Sequence, residues 1–91
     1  MYTVDYTNQF KRSVKRCVKR GLDVNKIAVC VDILRESGTL PPHYRPHKLS
    51  GFKAGMTWEC HIEPDWLMIW EQNDECLTLL MLDTGSHSDL F

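Results

Sequence analysis

The sequence predicts an α+β fold, with an N-terminal helical hairpin packed on one face of a mostly antiparallel sheet. Three observations predict it. Apolar residues recur at helical spacing through roughly residues 8–36. The stretch Ser37-Gly38-Thr39-Leu40-Pro41-Pro42 then forbids any continuation of a helix. From residue 57 onward the period falls to two, in short runs separated by turn residues. Helices gathered in one part of the chain and strands in the other give α+β rather than an alternating α/β order.

Residues 2–6 alternate and are rich in strand formers, which predicts a short first strand. Thr7 is placed to cap a helix over about 8–20, whose buried face carries Phe10, Val14, Cys17 and Val18. Six cations, Lys11, Arg12, Lys15, Arg16, Lys19 and Arg20, fill much of its remaining circumference. Like charges at i, i+4 cost an isolated helix ~0.2–0.5 kcal/mol each. Either a solvated basic face backed by packing or an acidic partner must offset that repulsion. Gly21 stops this helix, and Asp23 is placed to cap a second one that runs to about residue 36. Its stripe is Val24, Ile27, Ala28, Val31 and Leu34. So short a link makes the two helices an antiparallel hairpin.

Residues 43–50 allow a short polar strand broken by Pro46. Residues 57–63 put Trp58, Cys60 and Ile62 on one face and Thr57, Glu59, His61 and Glu63 on the other. Glu63-Pro64-Asp65-Trp66 reads as a tight turn. The apolar run 67–71 predicts a central strand covered on both faces, Asn73-Asp74 a turn, and 77–82 a second central strand. The tail 84–91 is polar, reads as flexible, and ends on Phe91. The predicted order is β-α-α-β-β-β-β, in one domain spanning 1–91.

Charge narrows the function. A formal net charge of −1 hides a split. Residues 1–53 hold all 11 Lys and Arg against four acids, a net of +7, whereas 54–91 hold eight acids and no Lys or Arg, a net of −8. Such a dipole points to an anionic partner for the basic part. The longest apolar run, 66–70, is far short of the ~20 residues of a membrane span. No signal peptide is visible either, so a cytoplasmic location is expected. Four widely spaced cysteines (Cys17, Cys30, Cys60, Cys76) allow disulfides but fit free thiols in a reducing compartment better.

The chemistry concentrates in His43, His47, His61 and His87. There is no Gly-rich phosphate loop, nucleophile elbow or His-Glu-x-x-His sequence. Metal binding is the weaker reading, because no pair of histidines sits at i, i+4 on a predicted helix and Cys60 and His61 point to opposite faces of a strand. Acid–base chemistry near neutral pH fits better. Across the bend at 63–66, His61 and Asp65 are expected within ~5–8 Å, close enough for the carboxylate to orient the imidazole. His47, Lys48 and Lys53 add cations nearby in sequence.

Three stretches then carry a resemblance: His47-x-Leu49-x-Gly51-x-Lys53, His61-Ile62-Glu63-Pro64-Asp65-Trp66, and Thr84-Gly85-Ser86-His87-Ser88-x-Leu90-Phe91. Together they resemble the YafQ branch of the RelE/ParE superfamily of bacterial type II toxins, over the whole chain and with the same order of elements. The resemblance implies a ribosome-dependent endoribonuclease that cuts mRNA and is neutralised by a cognate antitoxin, the complex also regulating its own operator DNA. It implies His47, His61, Asp65 and His87 as catalytic residues and Lys48, Lys53, Trp66 and Phe91 as RNA-binding ones, with no metal and no cofactor. The 2′-OH of the RNA would attack the neighbouring phosphorus, with His87 as acid and an Asp65–His61 pair as base. The basic first helix and residues 45–53 would contact ribosomal RNA. Asp83 departs from the basic residue that the family pattern carries before Thr-Gly. The alternative is a ParE-like toxin that binds DNA gyrase and is not a nuclease, in which the histidine–aspartate set would have no task.

Overall fold

In the computed structural model, which describes residues 1–50 and 56–91, the strands form one sheet in the order β1-β5-β4-β3-β2. The elements are β1 (Thr3–Tyr6), α1 (Asn8–Lys19), α2 (Asn25–Ser37), a 3₁₀ turn (Pro42–Tyr44), β2 (His47–Lys48), β3 (Thr57–Glu63), β4 (Trp66–Asn73), β5 (Thr78–Gly85) and α3 (His87–Leu90). β1 lies parallel to β5, and all other pairs are antiparallel. The α+β class and the strand order along the chain agree with the sequence reading.

Each boundary has a local cause. The Thr7 hydroxyl accepts the Phe10 amide at 3.0 Å and so starts α1. Gly21, at φ 81, lies just past its end. The buried face of α1 differs from the predicted one. Phe10, Ser13 and Cys17 are buried, whereas Val18 is exposed. The helix is turned toward β5 because the Ser13 hydroxyl donates to Asp83 at 2.5 Å. Asp23 does not cap α2 directly. Its carboxylate accepts the Asn25 amide at 3.0 Å, closing a turn just before the helix begins. Gly38 ends α2 in the left-handed region, and a Cβ there would collide with the Tyr2 ring.

The broken strand predicted over 43–50 is smaller than expected. Pro46 has no N–H to pair, so the ladder begins only at His47 and lasts two residues. β4 and β5 run longer than predicted. The Asn73 carboxamide accepts the Glu75 and Cys76 amides and organises the turn between them.

Trp66, Met68 and Trp70 of β4 pack with Cys60, Leu79 and Met81 against Phe10, Cys17, Ile27, Cys30, Val31 and Leu34 of the helices. Leu67 and Ile69 are also buried, but they belong to the other face of β4. The central strand is therefore covered on both sides, as its unbroken apolar run requires. All four cysteines are free thiols, three buried and Cys76 exposed. Among the described residues, no helix is long and apolar enough to cross a membrane.

Candidate active site

Strand register assembles the first half of the site. Residues directly opposite each other across antiparallel strands share a face. His47 pairs with Glu59, Glu59 with Ile69, and His61 with Leu67, so His47, Glu59 and His61 stand on one face over a floor of Leu67 and Ile69. The His47 and His61 ring centroids are 6.3 Å apart.

The second half comes from the tail, which is ordered rather than frayed. Ser86 and Asp89 form a reciprocal capping box, with Asp89 N–H donating to the Ser86 hydroxyl at 3.2 Å and Ser86 N–H to the Asp89 carboxylate at 2.9 Å. Arg20 grips that carboxylate with two bonds, of 2.5 and 3.0 Å. Arg16 donates to the Thr84 carbonyl at 3.2 Å and lies 3.8 Å from Asp89. The Arg20 guanidinium holds the Asp89 carboxyl far below the usual carboxylate range. Gly85 fits beneath this clasp because a Cβ would lie 2.8 Å from the Asp89 carboxylate and 2.9 Å from Arg16. Part of the basic face of α1 thus meets an acidic partner within the same chain.

This clasp sets His87 at the start of α3, where one residue delivers two donors to one acceptor. The His87 amide bonds Asp65 Oδ1 at 2.9 Å and its ring Nδ1 bonds the same oxygen at 2.6 Å. Those two bonds, the backbone one foremost, hold the Asp65 carboxyl below its ordinary value. The His61 and His87 centroids are 5.9 Å apart, so three histidines line one rim.

The histidines differ in environment. His61 is half-buried and its Nδ1 is enclosed without a hydrogen-bond partner. Burial lowers its pKa; Glu59 opposes this, and the charges of Arg45, His87 and His47 reinforce it. Neutral imidazole is the favoured form. At His47, Nδ1 faces the Arg45 carbonyl at 3.0 Å and Nε2 faces Glu59 Oε1 at 3.1 Å. Both partners are oxygens, so the ring is held from both sides. Glu59 is only 6% exposed, so that contact is also its compensation for burial.

The structure thus gathers His47, His61, Asp65 and His87 on one rim, but not in the expected pairing. Asp65 is bonded to His87, not to His61, because the turn tip meets the start of α3 while His61 stays over Leu67. Trp66 is 2% exposed, and its indole N–H donates to the Thr84 hydroxyl at 3.0 Å. It is a core residue and cannot stack on RNA, which corrects its expected role. Lys48 lies on the opposite face of β2 from His47, with its ammonium 5.7 Å from the Trp58 ring. Phe91 is 65% exposed beside the rim, its amide bonded to the His87 carbonyl at 2.9 Å. Lys53 lies outside the described residues. Asp83 accepts from the Ser13 hydroxyl and from the Thr84 amide at 2.8 Å, so the departure noted in sequence is a structural tie. Glu59 was missed as a site residue, although its i, i+2 spacing to His61 placed it on the right face. Among the described residues, no three His, Cys, Asp or Glu converge to hold a metal ion.

Comparison with known proteins gives the class: the toxin component of a bacterial type II toxin–antitoxin system. The family profile described as bacterial toxin of type II toxin-antitoxin system, YafQ, matches residues 2–91, and the chain belongs to this family. It is 34% identical over 89 residues to the mRNA interferase toxin YafQ of Escherichia coli K12, covering 97% of this chain and 94% of that protein. Among solved structures, the E. coli DinJ–YafQ complex superposes with a TM-score of 0.91 at 32% identity, over 100% of this chain and 99% of the other. A metal-bound toxin from Helicobacter pylori gives 0.89 at 33% identity, with both chains fully covered.

Proposed function

We propose that this chain is an mRNA interferase: an endoribonuclease that cuts message on the ribosome, in the cytoplasm, and is neutralised by a cognate antitoxin. The observation that carries this reading is the pairing of unlike histidines. His61 is buried and favours its neutral form, whereas His87, 5.9 Å away, has Nδ1 fixed by Asp65. Unlike environments separate the base from the acid.

In the proposed reaction, His61 takes the proton of the RNA 2′-OH as that oxygen bonds to the adjacent phosphorus. The bond from phosphorus to the 5′-oxygen breaks, and His87, as imidazolium, donates its Nε2 proton to the leaving oxygen. The products are a 2′,3′-cyclic phosphate and a 5′-OH. Asp65 orients His87, and His47, backed by Glu59, stabilises the charge that builds on the phosphoryl oxygens. Phe91 offers an exposed ring for a base to stack on. The remaining α1 cations, Lys11, Lys15 and Lys19, suit contacts to ribosomal RNA.

Antitoxin binding has its own surface. A groove of about 610 Å³ between α1 and α2 is floored by Phe10, Val14, Ile27 and Val31 and edged by Lys11 and Lys15. An apolar antitoxin segment with acidic flanks fits that lining and charge. The DinJ–YafQ complex of the E. coli relative supports a protein partner.

Primer-extension mapping of cellular mRNA after induction tests the function. Discrete new 5′ ends within translated regions are expected, along with much slower cutting of the same RNA when it is free of ribosomes. DNA damage without mRNA cuts would instead favour the gyrase-binding alternative, and equal cutting of naked RNA would remove the ribosome from the account.

A further inference from the structure

Five arginines occur in the chain, and four of them are engaged in the structure. Arg12 bonds Gln9, Arg16 bonds the Thr84 carbonyl, Arg20 bonds Asp89, and Arg35 bonds Asp32. Arg45 is the exception: among the described residues its guanidinium has no ion pair and no hydrogen bond. Its backbone is unusual as well. At φ 50 and ψ 51 it occupies the left-handed region, which non-glycine residues seldom adopt. Strained backbone of this kind persists where the surroundings over-determine it, and it concentrates at functional sites.

The strain has two structural consequences. The turn aims the Arg45 carbonyl at His47 Nδ1, 3.0 Å away, and so fixes that ring. It also places Arg45 on the wall of a small pocket of about 180 Å³, together with His43, His61, Ile62, Glu63 and Pro64. The one carboxylate in that wall, Glu63, is paired with Lys26 at 2.8 Å, which removes the nearest competitor for the guanidinium. An unpaired guanidinium beside a neutral imidazole is the arrangement an anion would complete.

We propose that Arg45 is a substrate-contacting residue of this site, its guanidinium binding the non-bridging oxygens of the RNA phosphate that is cut. The inference rests on the RNA-cleaving reading above. Its planar fork matches two phosphoryl oxygens at once, and the contact strengthens as negative charge builds during attack. No proton moves through Arg45; the transfers remain those of His61 and His87. Arg45 is distinct in this from Lys11, Lys15 and Lys19 of α1, proposed above for ribosomal RNA rather than for the reacting group.

The test compares Arg45→Gly with Arg45→Lys in single-turnover cleavage of ribosome-bound mRNA, beside the wild-type protein. Glycine suits the left-handed turn and keeps the carbonyl bonded to His47, so it removes only the side chain. The expected result is an about 10–100-fold loss of the cleavage rate in Arg45→Gly with a smaller change in half-saturation, and recovery of most of that loss in Arg45→Lys. The acid limb of the pH–rate profile also moves upward in Arg45→Gly and stays put in Arg45→Lys. His61 loses one nearby positive charge in the first variant, while Glu59, His47 and His87 still surround it. Arg45→Asn, neutral and tolerant of the same backbone, replaces Arg45→Gly if that variant does not fold. A neutral variant that cleaves within twofold of wild type overturns the proposal, as does an Arg45→Lys variant no better than Arg45→Gly with an unmoved limb. A wild-type protein that cuts no RNA overturns instead the reading on which the proposal rests.

Discussion

Replacing His87 by Gln lowers mRNA cleavage by about 10²–10⁴-fold, the usual cost of losing a general acid or base. The variant keeps its fold, because α3 is capped by Ser86 and Asp89 and anchored by Arg20, none of which the substitution touches. The backbone bond from residue 87 to Asp65 also survives, since it uses the amide rather than the ring. What is lost is the ring nitrogen proposed to protonate the leaving oxygen. Growth arrest on induction should therefore disappear while antitoxin binding, proposed for the α1–α2 groove, is unchanged. A fully toxic His87→Gln protein would remove His87 from the reaction.

The second large effect is at His61. His61→Ala lowers cleavage by a similar ~10²–10⁴-fold and abolishes the acid limb of the pH–rate profile. In the wild-type protein that limb lies below the ordinary histidine value of about 6.5, because burial lowers the His61 pKa. Stability follows the same group. A folded-state pKa below the unfolded one means that the unfolded chain binds more protons in the interval between them. His61 therefore costs stability as pH falls through about 6.5 toward its folded value, and costs nothing above that interval. Urea unfolding at pH 8 and at pH 6 should show a smaller loss on acidification for His61→Ala than for wild type. An equal loss in the two proteins, or an acid limb that persists in the variant, would contradict the assignment of His61 as the buried base.

Most of the fold was legible in the sequence because local signals coincide with the tertiary structure. Thr7 acts through its capping hydroxyl, Gly21 and Gly38 through their left-handed backbone, and Pro64 by its place in the turn between β3 and β4. The period change after Pro42 separates the helices from the antiparallel strands. The failures share a cause: contacts between residues distant in sequence. Val18 was assigned to a buried face that the Ser13–Asp83 bond turns away. The tail read as flexible because the residues that order it, Arg16 and Arg20, lie almost seventy positions earlier.

The candidate site was legible as a set and illegible as a geometry. The motif stretches named His47, His61, Asp65 and His87, and the structure draws all four to one rim. The partner of Asp65 was another matter. Sequence proximity favoured His61, four residues away, but a backbone amide and a ring nitrogen from His87 together outbid it. Trp66 was assigned to RNA on its place in the motif, whereas the pleat of β4 turns it into the core. Arg45 was read only as part of a segment, 45–53, expected to contact ribosomal RNA, since its left-handed backbone follows a 3₁₀ turn that the sequence did not reveal.

End-group analysis of the fragments made from ribosome-bound mRNA tests the central claim most directly. Attack by the 2′-OH, with His61 as base and His87 as acid, yields upstream fragments ending in a 2′,3′-cyclic phosphate and downstream fragments beginning with a 5′-OH. Fragments carrying a 3′-OH and a 5′-phosphate would mean that water, not the RNA's own hydroxyl, attacks the phosphorus, and would contradict the account.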